Sequence, residues 1–218
     1  MSIGVFDIIG PRMIGPSSSH TAGAVRIGQV ANRLVGGKVK AASVTLYGSF
    51  AQTGRGHGTD TAIVAGILGL DPDQEGIRYS KLLMKEAGLN IPVYFSDEEP
   101  AHPNTAEVYV KGEDGKEYTY TGTSVGAGRI EVTSLNHMAV GFTCELPTLL
   151  VFHEDVPGVI MRVSSILALE RINIAFMKVF RSERRKQACM VIETDTKVDE
   201  ATRRRIELNV EGTEVVAI

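Results

Sequence analysis

Apolar positions along the chain recur with two periods, and the switches between them mark out the elements. Ile27, Val30, Ala31 and Leu34 fall at i, i+3, i+4 and i+7, one face of a helix over about 20–35 that Gly36-Gly37 ends. Val39 to Tyr47 (VKAASVTLY), rich in β-branched and small residues, reads as a strand. TAIVAGILGL forms a second apolar helix with Asp60 as its cap, and a third helical stretch runs from about Ile77 to Ala87 and stops at Gly88. Residues 3–9 (IGVFDII) make a short apolar strand or docking segment. Pro92 to Phe95 is a strand, and Thr105–Lys111 and Lys116–Thr121 flank Gly112-Glu113-Asp114-Gly115 as a β-hairpin. The glycine group Gly122 to Gly128 precedes a strand at Arg129–Leu135. Gly48 to Asp60 holds four glycines within eleven positions, which reads as neither a helix interior nor a stable strand.

From Thr148 the texture changes. A strand (TLLVFHE) is followed by a helix whose Val159, Val163, Ile166 and Leu167 share one face. Strands NIAFMKVF and QACMVIETD, a helix from about Asp199 to Leu208 and a last strand EVVAI complete the order βαββαβ, the split ferredoxin-like pattern. The expected organisation is α+β with two domains, residues 1–147 and 148–218.

Composition narrows the classes. Hydrophobic content of 43% and charged content of 22% are those of a soluble globular protein. The formal net charge of −3 provides no basic footprint for nucleic acid. No apolar run approaches a membrane span, and the first residues lack the pattern of a signal peptide, so the expectation is a cytoplasmic chain with no membrane partner. Cys144 and Cys189 belong to no CxxC pair, which argues against zinc or a cluster held by this chain alone. Both read as small buried hydrophobes.

The chemistry concentrates in one stretch and two loops. Gly15-Pro16-Ser17-Ser18-Ser19-His20-Thr21 leads straight into the first helix, so Ser19 either caps it or the stretch offers a helix N-terminus to a carboxylate or phosphate. Gly56-His57-Gly58-Thr59 and His102-Pro103-Asn104 have the same character, a histidine beside hydroxyl or amide groups in a Gly/Pro-rich loop. Glycine flanks let a backbone approach a ligand closely, and histidine is the side chain best matched to proton transfer near neutral pH. A mononuclear metal on the three histidines stays open, although no carboxylate or cysteine stands at ligand spacing. A serine hydrolase lacks its GxSxG elbow, and the glycine-rich loop lacks the P-loop form.

FDIIGPRMIGPSSSHTAGAVRIG, LYGSFAQTGRGHGTD and HPNT, followed by the βαββαβ segment, closely resemble the β chain of the iron–sulfur L-serine dehydratases over essentially the whole chain. The fold this resemblance implies is an allosteric-substrate-binding-type α/β domain followed by a ferredoxin-like ACT domain. The implied reaction is L-serine to pyruvate and ammonia, with a 4Fe-4S cluster acting as Lewis acid on the substrate hydroxyl and without pyridoxal phosphate. Cluster ligands are cysteine thiolates, so the implied partner is a cysteine-bearing α chain, with no metal ligand in this chain. Carried over by motif, His57 is the base for the α-proton and Thr59 holds the substrate. Ser17, Ser18, Ser19, His20 and Thr21 line the carboxylate side, and His102 and Asn104 complete the pocket. The segment His153-Glu154-Asp155-Val156-Pro157-Gly158 resembles the serine-binding loop of D-3-phosphoglycerate dehydrogenase regulatory domains, where an Asn stands in place of Asp155. His153, Asp155 and Gly158 are therefore a candidate effector loop, the alternative being a turn and a β–β dimer contact. Arg184-Arg185-Lys186 and Arg203-Arg204-Arg205 read as solvated faces.

Two functions from different classes follow. One is a catalytic β subunit contributing histidines to a shared site. The other is a regulatory module in which the Ser-His-Thr stretch binds an amino acid or anion without chemistry. A pyridoxal enzyme would need a Schiff-base lysine, and none of the three loops contains one.

Overall fold

Alternation along Val39–Tyr47 buries Ala42, Val44 and Leu46 on one face, as a half-buried strand requires. This strand, β1, lies between two others in the first sheet of the computed structural model of the chain, which describes residues 12–183 and 186–218. The expected strand over residues 3–9 and the pair Arg184-Arg185 lie outside the described residues. The other strands of this sheet are β2 (Val93–Phe95), β3 (Asn104–Gly112), β4 (Glu117–Gly126), β5 (Arg129–Leu135) and β6 (Met138–Phe142). Their order is β2-β1-β3-β4-β5-β6. β1 and β2 run parallel, joined by a crossover containing α2 (Gly48–His57), α3 (Thr59–Ile67) and α4 (Ser80–Glu86). β3 pairs antiparallel with β1 and β4, and β4 with β5.

α1 (Ala24–Leu34) buries Ile27, Val30, Ala31 and Leu34, the face read from the sequence. It packs against α3 at a separation only glycine permits. A Cβ on Gly28 would lie 2.2 Å from the Ile63 carbonyl oxygen, and one on Gly66 would lie 1.9 Å from that of Val25. Tyr120 of β4 ties α1 to the sheet. Its buried hydroxyl donates to the Ile27 carbonyl and accepts from the Ala31 N–H at 3.2 Å.

The glycine-rich stretch Gly48–His57 is a helix, contrary to the expectation from composition. Gly48, at φ +53°, turns the chain out of β1, and Gly58, at φ +69°, ends α2 in the left-handed conformation. Gly54 lies against Thr59 and Leu46, where a Cβ would sit 3.3 Å from the Thr59 Cβ. Phe50 is fully buried and anchors the helix, while the Ser49 N–H donates to the Pro103 carbonyl at 2.7 Å. Burial and these end contacts override a weak local propensity.

Other differences are local. Gly58, not Asp60, is the N-cap residue of α3, and Asp60 makes a 2.6 Å ion pair with Lys81. The third helical stretch begins as a 3-10 turn over Glu75–Tyr79. The glycine group after the hairpin is largely strand, since β4 runs on to Gly126. β6 follows a turn in which Asn136 and His137 both have positive φ, and the sequence reading did not anticipate it. Cys144 is half-buried at φ +57°, unlike the buried Cys189.

The chain divides into two compact units, Met1–His137 and Met138–Ile218. In the second, β7 (Thr148–Glu154), α5 (Val159–Leu169), β8 (Ile174–Arg181), β9 (Gln187–Thr194), α6 (Glu200–Asn209) and β10 (Glu214–Ala217) give the βαββαβ order. The sheet order β10-β7-β9-β8 is antiparallel throughout, as a ferredoxin-like fold requires. Leu149, Val151, Val163, Leu167, Met190 and Ile206 fill its core. Asp199 caps α6 by accepting from the Thr202 N–H at 2.8 Å.

Candidate functional site

Gly15, at φ +143°, brings the chain so close to the next turn that a Cβ there would lie 2.5 Å from Thr21 Cγ2. Ser17, not Ser19, is the cap: its Oγ accepts from the His20 N–H at 3.1 Å, and its carbonyl accepts from the Thr21 N–H at 2.8 Å. Ser18–Gly23 form a π-helical turn that runs into α1, and this turn aims the His20 ring at α2.

His20 is held from three sides. Nε2 lies 3.1 Å from both Ser49 Oγ and Thr53 Oγ1, Nδ1 lies 3.4 Å from Ser17 Oγ, and Phe50 meets the ring edge-on at 5.3 Å between centroids. The network selects a tautomer. Thr53 Oγ1 donates its proton to the Ser49 carbonyl at 2.8 Å, so towards His20 it accepts, and the proton belongs on Nε2. Nδ1 then accepts from Ser17. Burial lowers the His20 pKa below 6.5, repulsion from His57 lowers it further, and hydrogen bonding at Ser49 opposes both.

His57 ends α2, and its ring lies 4.9 Å from that of His20 at 42° between planes. It is exposed, in contrast to its neighbour Thr59, which is fully buried beneath Gly54 with Oγ1 lacking a partner among the described residues. His57 also lines a cavity of about 540 Å³, together with Gly15, Pro16, Thr21, Gly58, Thr61 and Arg78. Thr21 Oγ1 is buried there without a hydrogen-bond partner among the described residues.

The structure thus joins His20, Thr21 and His57 through the turn before α1 and the end of α2. Ser18 and Ser19 are half-buried within the π-helical turn. His102 borders a different cavity, of about 400 Å³, with Glu98, Glu99, Glu107 and Glu131. His102 Nδ1 accepts from the Asn104 N–H at 3.2 Å, and the Asn104 side-chain oxygen is buried without a partner among the described residues. The link to His20 is indirect: the Pro103 carbonyl receives the Ser49 N–H, and Asn104 bridges Gly48. Sequence reasoning passed over Ser49, Thr53, Thr61 and Arg78. Ser49 and Thr53 stand at i, i+4 and would share a face once the glycine-rich stretch is taken as helical. No pattern in the sequence marks Arg78.

In the second unit His153 is buried, with Nδ1 2.7 Å from the Glu154 carbonyl and Nε2 unpaired among the described residues. Asp155 pairs with Arg181 at 3.3 Å, which offsets its charge, and Gly158 precedes α5 at φ +93°. Among the described residues no three His, Cys, Asp or Glu side chains group as a metal site. Nor is any helix among them long and apolar enough to cross a membrane.

Two family models match the chain. The family model described as Serine dehydratase beta chain matches residues 4–90, and the ACT domain matches residues 147–207. The chain is 45% identical over 196 residues to the probable L-serine dehydratase, beta chain, of Bacillus subtilis (strain 168), covering 90% of this chain and 89% of that protein. It is 37% identical over 202 residues to the L-serine dehydratase, beta chain, of Peptoniphilus asaccharolyticus, covering 92% and 91%. L-serine dehydratase 2 of Escherichia coli (strain K12) is 32% identical over 154 residues, which cover 59% of this chain and 33% of that protein. Similarity that spans both units at these identities means that the chain belongs to the family of L-serine dehydratase β chains.

Proposed function

We propose that the chain is the β subunit of a 4Fe-4S-dependent L-serine dehydratase, converting L-serine to pyruvate and ammonia at a site shared with a cysteine-bearing α subunit. The observation that carries this reading is the His20–His57 pair, with rings 4.9 Å apart and His57 lining the Thr21 cavity. One imidazole is exposed, and the other beside it is oriented by hydrogen bonds, with burial lowering its pKa.

His57 takes the α-proton of serine. His20, with its proton fixed on Nε2 and its pKa held low, does not place a second positive charge beside His57 as the proton arrives. Loss of hydroxide from the β-carbon leaves an enamine, whose imine tautomer is hydrolysed to pyruvate and ammonia. The water released in the elimination balances the water consumed in hydrolysis.

The departing hydroxide needs an electrophile, and this chain does not fit the task of holding a cluster. Clusters take three or four cysteine thiolates. The chain has Cys144 and Cys189, and burial pushes the Cys189 thiol up to about 12. The cluster therefore falls to the α chain, where it would supply the Lewis acid. Pairing of two β chains through the ACT domain is favoured by the edge strand β8, whose Phe176 and Met177 are exposed.

The test is anaerobic pyruvate formation from L-serine by this chain, by its α partner, and by the mixture. Activity only on mixing, lowered at least ~100-fold in kcat by His57→Gln with the complex and its cluster intact, is the expected result. Full activity from the α chain alone would make this chain a regulatory module and remove His57 from the chemistry.

A further inference from the structure

The cavity beside His57 contains a charge that the proposed chemistry has not used. Arg78 sits on the 3-10 turn Glu75–Tyr79, which leads into α4, and borders the same cavity as Thr21 and His57. Among the described residues it is the one permanently charged side chain lining that cavity, and it takes part in no ion pair. An arginine without a carboxylate thus lines the same cavity as Thr21, whose buried hydroxyl has no partner among the described residues, and both groups have donors to offer. The planar guanidinium offers two parallel N–H groups to one carboxylate, a geometry lysine cannot reproduce.

We propose that Arg78 is the carboxylate-binding residue of this site, with Thr21 Oγ1 donating to the same anion, so that the cavity selects α-amino acids over their uncharged analogues. This rests on the dehydratase reading above. Gly15, Pro16 and Ile77 supply apolar lining to the same cavity. An apolar wall with few polar groups confers orientation on a small ligand, and the anion at Arg78 would leave the α-carbon on the His57 side. Sequence reasoning gave the carboxylate to the serine-rich stretch. Of Ser17, Ser18, Ser19, His20 and Thr21, Thr21 alone lines the cavity, and none of the five carries a permanent positive charge.

The experiment uses the assembled αβ complex with wild type, Arg78→Gln and Arg78→Lys, and compares L-serine with serinamide, in which a neutral amide replaces the carboxylate. Loss of one charge-assisted interaction corresponds to about a 10- to 100-fold rise in KM for L-serine in Arg78→Gln. The expected pattern is that rise with kcat changed by less than about threefold, because the interaction holds substrate and transition state alike. Arg78→Lys should recover only part of it, and the preference of wild type for L-serine over serinamide should collapse in Arg78→Gln. Arg78 is exposed, so thermal unfolding should not move. An active complex in which Arg78→Gln leaves KM and the serinamide preference unchanged overturns the role of Arg78 while leaving the dehydratase reading intact. A wild-type complex that forms no pyruvate overturns both.

Discussion

Gly66 and Gly56 are ten residues apart in the same crossover, and adding a methyl group to each should change stability in opposite directions. A Cβ on Gly66 would meet the Val25 carbonyl oxygen at 1.9 Å, the Val25 carbonyl carbon at 2.8 Å and the Gln29 nitrogen at 2.9 Å. All three are backbone atoms of α1, so no rotamer change relieves the overlap. Relaxed contacts lie about 3.5 Å apart, and the helices must separate by more than ~1 Å to accept the methyl. That motion opens packing around Ile27, Ile63, Val64 and Ile67, each at most 1% exposed. Overpacking of this kind costs about 3 kcal/mol at the upper end of its usual range. The better helix propensity of alanine returns up to ~1 kcal/mol, leaving Gly66→Ala about 2 kcal/mol less stable. A Cβ on Gly56 would meet nothing within 4 Å, so Gly56→Ala should gain about 0.5–1 kcal/mol.

The two variants should therefore differ by ~3 kcal/mol, or roughly 6–12 °C in Tm for a domain of this size. Tyrosine fluorescence during urea unfolding is the assay, because all six tyrosines lie between Tyr47 and Tyr120 and the chain has no tryptophan. The signal reports on the first unit alone, so separate unfolding of the second cannot blur it. Gly66→Ala within about 0.5 kcal/mol of wild type, at an unchanged m-value, would refute the close helix approach. So would a Gly56→Ala variant as damaged as Gly66→Ala. The consequence reaches the site, since α1 follows the turn that carries His20 and α3 begins two residues after His57.

Three further outcomes follow from titration and burial. The folded pKa of His20 lies below its ordinary 6.5, so the unfolded chain protonates first as pH falls. The His20 contribution is complete above about 6.5 and is lost between there and the lower folded value. Subtracting the pH–stability curve of His20→Gln from that of wild type should isolate this loss, and parallel curves would contradict it. His57→Gln removes the charge that adds to burial in depressing His20, so the His20 imidazole resonances should titrate at higher pH, which NMR reads directly. Cys189, 1% exposed with its thiol pushed up to about 12, should resist iodoacetamide at pH 8 until the second unit unfolds. Mass spectrometry of the native protein should find any label on Cys144, and early labelling of Cys189 would contradict its burial.

Local periodicity alone determined much of this protein. The face of α1, the alternation of β1 and the βαββαβ order of the second unit are written in spacings of a few residues, where hydrophobic burial dictates helix or strand. The serine-rich stretch was also legible as a helix start, because hydroxyl caps act over three residues. What the sequence did not reveal depends on contacts between distant segments. Gly48–His57 is helical because Phe50 finds a buried site, the Pro103 carbonyl receives the Ser49 N–H and Gly54 fits against Thr59. Local propensity is worth only about 1 kcal/mol per glycine, and such contacts overcome it. The three histidines looked equivalent in sequence, each in a glycine- or proline-rich loop. The tertiary structure separated them: the approach of α1 to α3 at Gly28 and Gly66 brings His20 against His57, while pairing of β3 with β1 carries His102 to another cavity. Arg78 had no motif to announce it, since a single surface arginine acquires meaning only when the fold places it in one cavity with Thr21 and His57.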